Sequence, residues 1–97
     1  METRQINAKV ARKMSKNELM DIIYEAPDNS ILEIFAADPD SQAGDNDGVC
    51  LEVVKLDDEE SVVWDRWPNQ DNHRVLVRTK DIYSIYRTLV DQVEEVA

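Results

Sequence analysis

The strongest constraint on the fold is a hydrophobic stripe near the C-terminal end of the chain. Apolar residues recur there at helical spacing, namely Ile82, Ile85, Tyr86, Leu89, Val90, Val93 and Val96. This spacing places them on one face of an α-helix. Thr79 and Asp81 supply the expected cap and a favourable charge in the first turn. Because a helix with one apolar face must bury it, the pattern predicts a closing amphipathic helix packed on a sheet.

The strands of that sheet are predicted from β-branched and aromatic content. Residues 31–36, 49–56, 61–67 and 74–78 are rich in such side chains and are bounded by turn-forming residues. The segments 49–56 and 61–67 are separated by four consecutive acids, which indicates a hairpin with an acidic tip. We expect three to four mostly antiparallel strands.

The first quarter of the chain has the pattern of one or two helices. Ile6, Val10 and Met14 recur every four residues among basic side chains, which predicts a short basic amphipathic helix. Ser15 and Glu18 have the spacing of a capping box, so a second helix is predicted to begin there and to end near Ala26, before Pro27. A single helix from Ile6 to Glu25 fits the same residues. The fold class expected is α+β, with an N-terminal helix or helices.

Length and composition indicate one domain over residues 1–97. A chain of 97 residues with 42% hydrophobic and 33% charged residues can build one core. The single Cys50 lies in an apolar run, where a thiol usually behaves as a small buried hydrophobe, and it cannot form an intramolecular disulfide. We found no apolar leader and no run of about 20 apolar residues, so we expect a cytoplasmic protein without a membrane segment.

The net charge of −10 is distributed unevenly. Residues 1–16 hold five basic residues against one acid, a net charge of +4, and residues 66–97 are balanced. Residues 17–65 hold fifteen acids against Lys55 alone, a net charge of −14. Such a block repels nucleic acid and anionic lipid, and it attracts basic protein surfaces. It argues against direct nucleic-acid binding and predicts a protein partner with a basic surface; a role in solubility alone is the alternative.

The predicted partner-binding residues are the four acids of the hairpin tip, two acids of the 38–48 loop and one tryptophan: Asp57, Asp58, Glu59, Glu60, Asp45, Asp47 and Trp67. The tip should face water and contribute little to folding. Trp64 and Trp67 are three residues apart in a strand, so they should point to opposite faces, and one should belong to the core. Trp67 is then either a binding anchor or a residue packed under the closing helix.

Patterns typical of catalysis or metal binding are absent from the sequence. His73 is the single histidine, and neither it nor Cys50 lies in a nucleophile motif. The acids of the 38–48 loop do not have the spacing of a calcium loop, one Cys and one His do not make a zinc site, and no glycine-rich phosphate loop occurs. We therefore expect a non-enzymatic protein with no catalytic residue, metal or cofactor.

Residues 17–34, with a helix that ends at Pro27-Asp28 and is followed by a strand, resemble the helix-Pro-Asp-strand opening of many small phage and prophage proteins. The resemblance implies a phage or prophage accessory protein; together with the acid block, the expected role is that of an accessory factor or inhibitor. Its partner would be a basic, nucleic-acid-binding protein. If this protein is a DNA mimic, its carboxylates would bind where the partner otherwise binds DNA phosphates. The alternative is a structural protein that self-associates as a homodimer through a helix face or sheet edge; a small enzyme ranks third.

Overall fold

A five-stranded sheet with two helices on one face organises the chain. The computed structural model describes residues 2–39, 47–68 and 73–96. The strands lie in chain order across the sheet: β1 (Thr3–Ile6), β2 (Ser30–Phe35), β3 (Cys50–Lys55), β4 (Glu60–Arg66) and β5 (Val75–Arg78). The helices are α1 (Ala8–Ala11), α2 (Lys16–Glu25) and α3 (Ile82–Val96), and a 3-10 turn (Thr79–Asp81) leads into α3. β1 is parallel to β2 and the other neighbours are antiparallel, which confirms the α+β class.

The predicted number of strands, three to four, was wrong because β1 was missed. Ile6 is the last residue of this strand, buried opposite Ile34, and not the start of a basic helix. The helix that follows is only the four residues of α1, capped by the Asn7 side chain, which accepts a hydrogen bond from the Val10 N–H at 3.0 Å. Parallel pairing joins segments far apart in the chain, so local spacing contains no signal for it.

The capping box is confirmed, and it separates α1 from α2. Ser15 Oγ accepts a hydrogen bond from the Glu18 N–H at 3.2 Å, and Glu18 Oε1 accepts one from the Ser15 N–H at 3.0 Å. The hydrogen bond from the Ser15 N–H, followed by the contribution of the Ser15 side chain, holds the pKa of Glu18 below its ordinary value. Ala26 has an extended backbone, as expected before Pro27. A single helix from Ile6 to Glu25 is therefore not formed.

The core lies between the sheet and the helices α2 and α3. Its buried side chains include Leu19, Met20 and Ile23 from α2, Ile82, Tyr86, Leu89, Val90 and Val93 from α3, and Leu32, Ile34, Leu51, Val53 and Val63 from the sheet. The Tyr86 hydroxyl donates a hydrogen bond to the Phe35 carbonyl at 2.6 Å, which ties α3 to β2. Five residues of the stripe predicted for the closing helix are thus buried in the core, and Ile85 packs against it half-buried. The side chain of Val96 lies outside the described residues.

The start of α3 differs from the prediction. Thr79 does not cap the helix; it is fully buried, and its hydroxyl donates to the Asp57 carbonyl at 3.0 Å and lies 2.8 Å from the Ser61 hydroxyl. The helix begins instead after the 3-10 turn. Thr79 therefore fastens the end of β5 to the β3–β4 hairpin.

The opposite face of the sheet is the open face. Its side chains alternate with those of the core along each strand, and they include Thr3, Gln5, Ile31, Glu33, Glu52, Val54, Val62, Trp64 and Leu76. Among the described residues, Ala8 of α1 covers one end of this face, where it is buried with Phe35 and Cys50. The core is therefore one-sided.

Candidate functional site

The four acids predicted for the hairpin tip form one exposed turn between β3 and β4. The Asp57 carboxylate organises the turn: its Oδ1 accepts hydrogen bonds from the N–H groups of Glu59 and Glu60, both at 2.8 Å. These two bonds, with the one from Glu60 the larger cause, hold the pKa of Asp57 below its ordinary value. Asp57 therefore acts as the internal acceptor of the turn.

Lys55, the one basic residue of the acid block, is inside the protein. Its side chain is 2% exposed, and Nζ donates to the carbonyls of Tyr24 at 2.8 Å and Ala26 at 2.7 Å. A lysine ammonium at the C-terminal end of a helix binds carbonyls that have no partner within the helix. The same Nζ lies 2.9 Å from Asp58 Oδ1. Asp57 and Asp58 thus have hydrogen-bond and ion-pair partners within the fold, and the small contribution of the tip to folding stays a prediction.

Two further segments reach the same end of the sheet. Lys55 connects the tip to the end of α2, and the Asn29 N–H donates to the Lys55 carbonyl, so the turn between α2 and β2 lies beside the tip. The Ile31 N–H donates to the Glu2 carbonyl at 2.8 Å, which adds the N-terminal segment. We call this region the acidic end; it comprises Glu2, Glu25, Asp28, Asp57, Asp58, Glu59 and Glu60.

Basic side chains border the acidic end on the β5 side. Glu60 lies directly opposite Arg78 in the β4–β5 register. Arg78 and Lys80 line a surface depression together with Tyr24, Asp58 and Glu59. On the other side of this end, Glu25 and Asp28 are exposed, and Arg4 lines a second depression together with Glu2 and Glu25.

The remaining predicted binding residues are not at the acidic end. Asp47 is half-buried in the turn before β3, next to Gly48, whose φ of 83° is in the left-handed region. Trp67 follows β4 at the same opposite end of the hairpin, and it is partly buried against the core. A six-residue strand separates the two ends, which corresponds to about 20 Å. The structure therefore places Asp47 and Trp67 away from the tip. Asp45 lies outside the described residues.

An arginine–tryptophan stack on the open face was not anticipated. The Arg74 guanidinium lies 4.9 Å from the centroid of the Trp64 ring, and that of Arg66 lies 5.9 Å from it. Arg66 forms an ion pair with Glu33, and Arg74 Nη2 is 3.8 Å from Glu52 Oε2. In the sequences of β2, β3 and β4, charged residues alternate with core residues. This alternation is the signal from which a row of charges on the open face could have been predicted.

The residues considered for catalysis occupy ordinary structural positions. Cys50 is fully buried, and desolvation raises the pKa of its thiol to about 11, so it is the protonated, unreactive form at neutral pH. His73 is exposed before β5. Within residues 2–39, 47–68 and 73–96, no group of three or more His, Cys, Asp or Glu side chains is placed to hold a metal ion. In the same ranges, the helices are all too short or too polar to span a bilayer.

No model of a protein family, no curated protein and no solved structure matches the chain. The function must therefore be inferred from the surfaces of the molecule. Two of these stand out by chemistry: the acidic end, and the edge strand β5 with its arginines.

Proposed function

We propose that this protein is a non-enzymatic interaction protein whose acidic end binds a basic surface on a partner protein. The observation that carries the proposal is the convergence of three chain segments on one end of the sheet, each contributing exposed carboxylates. The cation in this region that is closest in sequence, Lys55, is buried, and its Nζ also lies 2.9 Å from Asp58 Oδ1. It therefore offsets one carboxylate of the acidic end, and the acidic end keeps an excess of negative charge.

The physical advantage of this arrangement is electrostatic steering. Carboxylates of Glu25, Asp28 and Glu59 are exposed on neighbouring turns, so their potentials add in the solvent in front of them. Such a patch raises the association rate with a basic surface and selects against acidic partners. Because Asp57 and Asp58 are held by hydrogen bonds and by Lys55, they present their charge in a defined position.

The proposed partner belongs to the nucleic-acid-binding proteins, whose basic surfaces bind phosphate groups. The resemblance of residues 17–34 to small phage and prophage accessory proteins supports this choice. The protein would then act as an inhibitor that occupies a nucleic-acid-binding surface. A DNA duplex should compete with it for the partner.

The test compares three baits in affinity capture and in association kinetics. The first is the wild type, and the second carries Glu25→Gln, Asp28→Asn and Glu59→Gln, which remove three charges from the acidic end without touching Asp57 or Asp58. The third is a matched control of equal net charge. Its three substitutions lie on exposed helix positions elsewhere: Asp21→Asn, Asp91→Asn and Glu95→Gln.

We expect a partner that binds the wild type and the control, and that associates with the acidic-end variant about tenfold more slowly at low salt. The difference should shrink as salt increases, and a DNA duplex should displace the wild type. If the two variants behave alike at every salt concentration, net charge alone explains binding and the acidic end is not the site. If no basic protein is retained by any bait, the proposal fails.

A further inference from the structure

Among the described residues, the sheet ends at β5, and this edge strand carries their most exposed large hydrophobic side chains. Val75 is 53% exposed and Leu76 is 58% exposed. An edge strand of this kind is a template for pairing with another chain. Leu76 lies on the open face, whereas Val75 lies on the covered side, opposite Val63. The other edge strand, β1, presents Thr3 and Gln5 on the open face. β5 therefore differs from β1 in being apolar.

Backbone groups of β5 that point away from the sheet can be identified from one hydrogen bond. The Thr79 N–H donates to the Glu59 carbonyl at 2.9 Å, so Thr79 directs its backbone groups toward the hairpin. Along an antiparallel strand, the backbone N–H and C=O groups of successive residues point alternately to the two sides, so those of Val77 and Val75 also point toward β4. Leu76 and the N–H of Arg78 must then point to the free edge, where an added strand would bind them.

Side chains at the same positions define what such a strand should look like. Leu76 and Arg78 lie on the open face, opposite Val62 and Glu60, and Arg74 precedes them at the same two-residue spacing. In an added antiparallel strand, residues directly opposite these three would be about 5.5 Å away between Cα atoms. Opposite-charge and apolar cross-strand pairs are stabilising. The complementary sequence is therefore acidic, any residue, aliphatic, any residue, acidic.

We propose that β5 binds an extended acidic and aliphatic segment of a partner protein as an added antiparallel strand. The charge pattern selects this occupant over a second copy of the chain. Two-fold pairing with Leu76 opposite itself would place Arg74 of one copy opposite Arg78 of the other, and like charges in that position are destabilising. Arginines beside an edge strand also discourage self-pairing.

Both arginines are exposed beside the edge, and Arg74 also stacks on the Trp64 ring at 4.9 Å. Arg74 is 61% exposed, and its pairing distance to Glu52 of 3.8 Å makes that ion pair weak. Arg78 is exposed opposite Glu60. Peptide recognition by strand addition obtains its affinity from main-chain hydrogen bonds and its specificity from alternate side chains, and β5 offers both. Arg78 borders the acidic end, but the proposal rests on the backbone edge of β5 and on its two arginines, so it does not depend on the function proposed above.

The test uses fluorescence anisotropy with two labelled synthetic peptides, Ser-Glu-Thr-Ile-Thr-Glu-Ser and its lysine counterpart Ser-Lys-Thr-Ile-Thr-Lys-Ser. We expect the wild type to bind the glutamate peptide at least about tenfold more tightly than the lysine peptide at low salt. In the protein with Arg74→Glu and Arg78→Glu, the preference should reverse. A reversal of this kind requires that the charge at these two positions sets the preference for the peptide.

Leu76→Pro tests the backbone part of the proposal. Since the Leu76 N–H points away from β4, proline removes a hydrogen bond to the peptide but none within the sheet. Binding of the glutamate peptide should fall at least about tenfold, with cooperative melting retained. Leu76→Thr is the matched control, because it removes the same side chain and keeps the N–H; it should weaken binding less than Leu76→Pro.

Three results would overturn the proposal. The first is equal affinity for the two peptides, or no binding up to about 1 mM peptide. The second is unchanged binding by a folded Leu76→Pro protein. The third is a wild-type dimer in analytical ultracentrifugation that Leu76→Pro converts to a monomer, since this would assign the edge to a second copy.

Discussion

The two faces of the sheet are made by the same strands but are stabilised differently. On the covered face, Leu32, Ile34 and Leu51 are at most 1% exposed and pack against α2 and α3. On the open face, neighbouring positions hold Glu33 and Glu52, which pair with arginines of β4 and the start of β5. Apolar burial stabilises a domain far more than exposed ion pairs do.

This difference separates folding from recognition in one small domain. The covered face supplies most of the free energy of folding, so the open face, the acidic end and the β5 edge can carry charge at little cost. A change in charge at these surfaces should therefore have a larger effect on partner binding than on the free energy of unfolding. The three predictions below, in order of decreasing effect, test this separation.

Removing one core side chain from the covered face should nearly unfold the protein. Leu89 of α3 is 1% exposed, and Leu89→Ala should lower the free energy of unfolding by about 2 to 5 kcal/mol. Domains of this size have total stabilities of only about 5 to 15 kcal/mol. The measurement is urea denaturation followed by circular dichroism.

The matched control is Val62→Ala on the open face, which should cost clearly less because Val62 is only partly buried. Equal losses for the two variants would mean that both faces are covered, as they would be in a stable assembly. Sedimentation at the same protein concentration would identify that case.

Replacing the buried lysine should have an intermediate effect. Lys55→Met keeps the aliphatic stem but leaves the Tyr24 and Ala26 carbonyls without their donor, so we expect a loss of about 1 to 3 kcal/mol in the free energy of unfolding. Asp58→Asn, which disrupts only an ion pair to a largely exposed carboxylate, should cost less than about 1 kcal/mol. A Lys55→Met protein as stable as the wild type would show that the capping of α2 by Lys55 is energetically neutral.

The smallest effect should be the pH dependence contributed by Asp57. Its pKa is lower in the folded protein than in the unfolded chain, so its stabilisation is fully present above the ordinary value of 3.8 and is lost as the pH falls through the folded pKa. Asp57→Asn should therefore reduce the acid sensitivity of the melting temperature between neutral pH and pH values below 3.8. Glu59→Gln, which removes a charge from the same tip without removing that acceptor, is the control. An identical acid response in the wild type and Asp57→Asn would contradict the role of Asp57 in the turn.

Local patterns in the sequence predicted the elements whose signals are local. The stripe of α3, the capping box at Ser15 and the break before Pro27 each depend on residues within a few positions of one another, and each is found in the structure. The hairpin between β3 and β4 was predicted for the same reason, with strand ends shifted by one residue. β1 was missed because its partner β2 is remote in the chain, and Ile6 alone fits either a helix or a strand.

The sequence by itself therefore determined the class of fold, the core face of α3 and the exposed acids of the hairpin tip, since periodicity and turn chemistry act over short distances. Only the tertiary structure decided that Lys55 is buried beneath the end of α2, and that Glu2, Glu25 and Asp28 join the tip at one end of the sheet. It also separated Asp47 and Trp67 from that end. The physical reason is that strand register and helix packing bring together residues remote in the chain, and their mutual charges and hydrogen bonds exist only after that assembly.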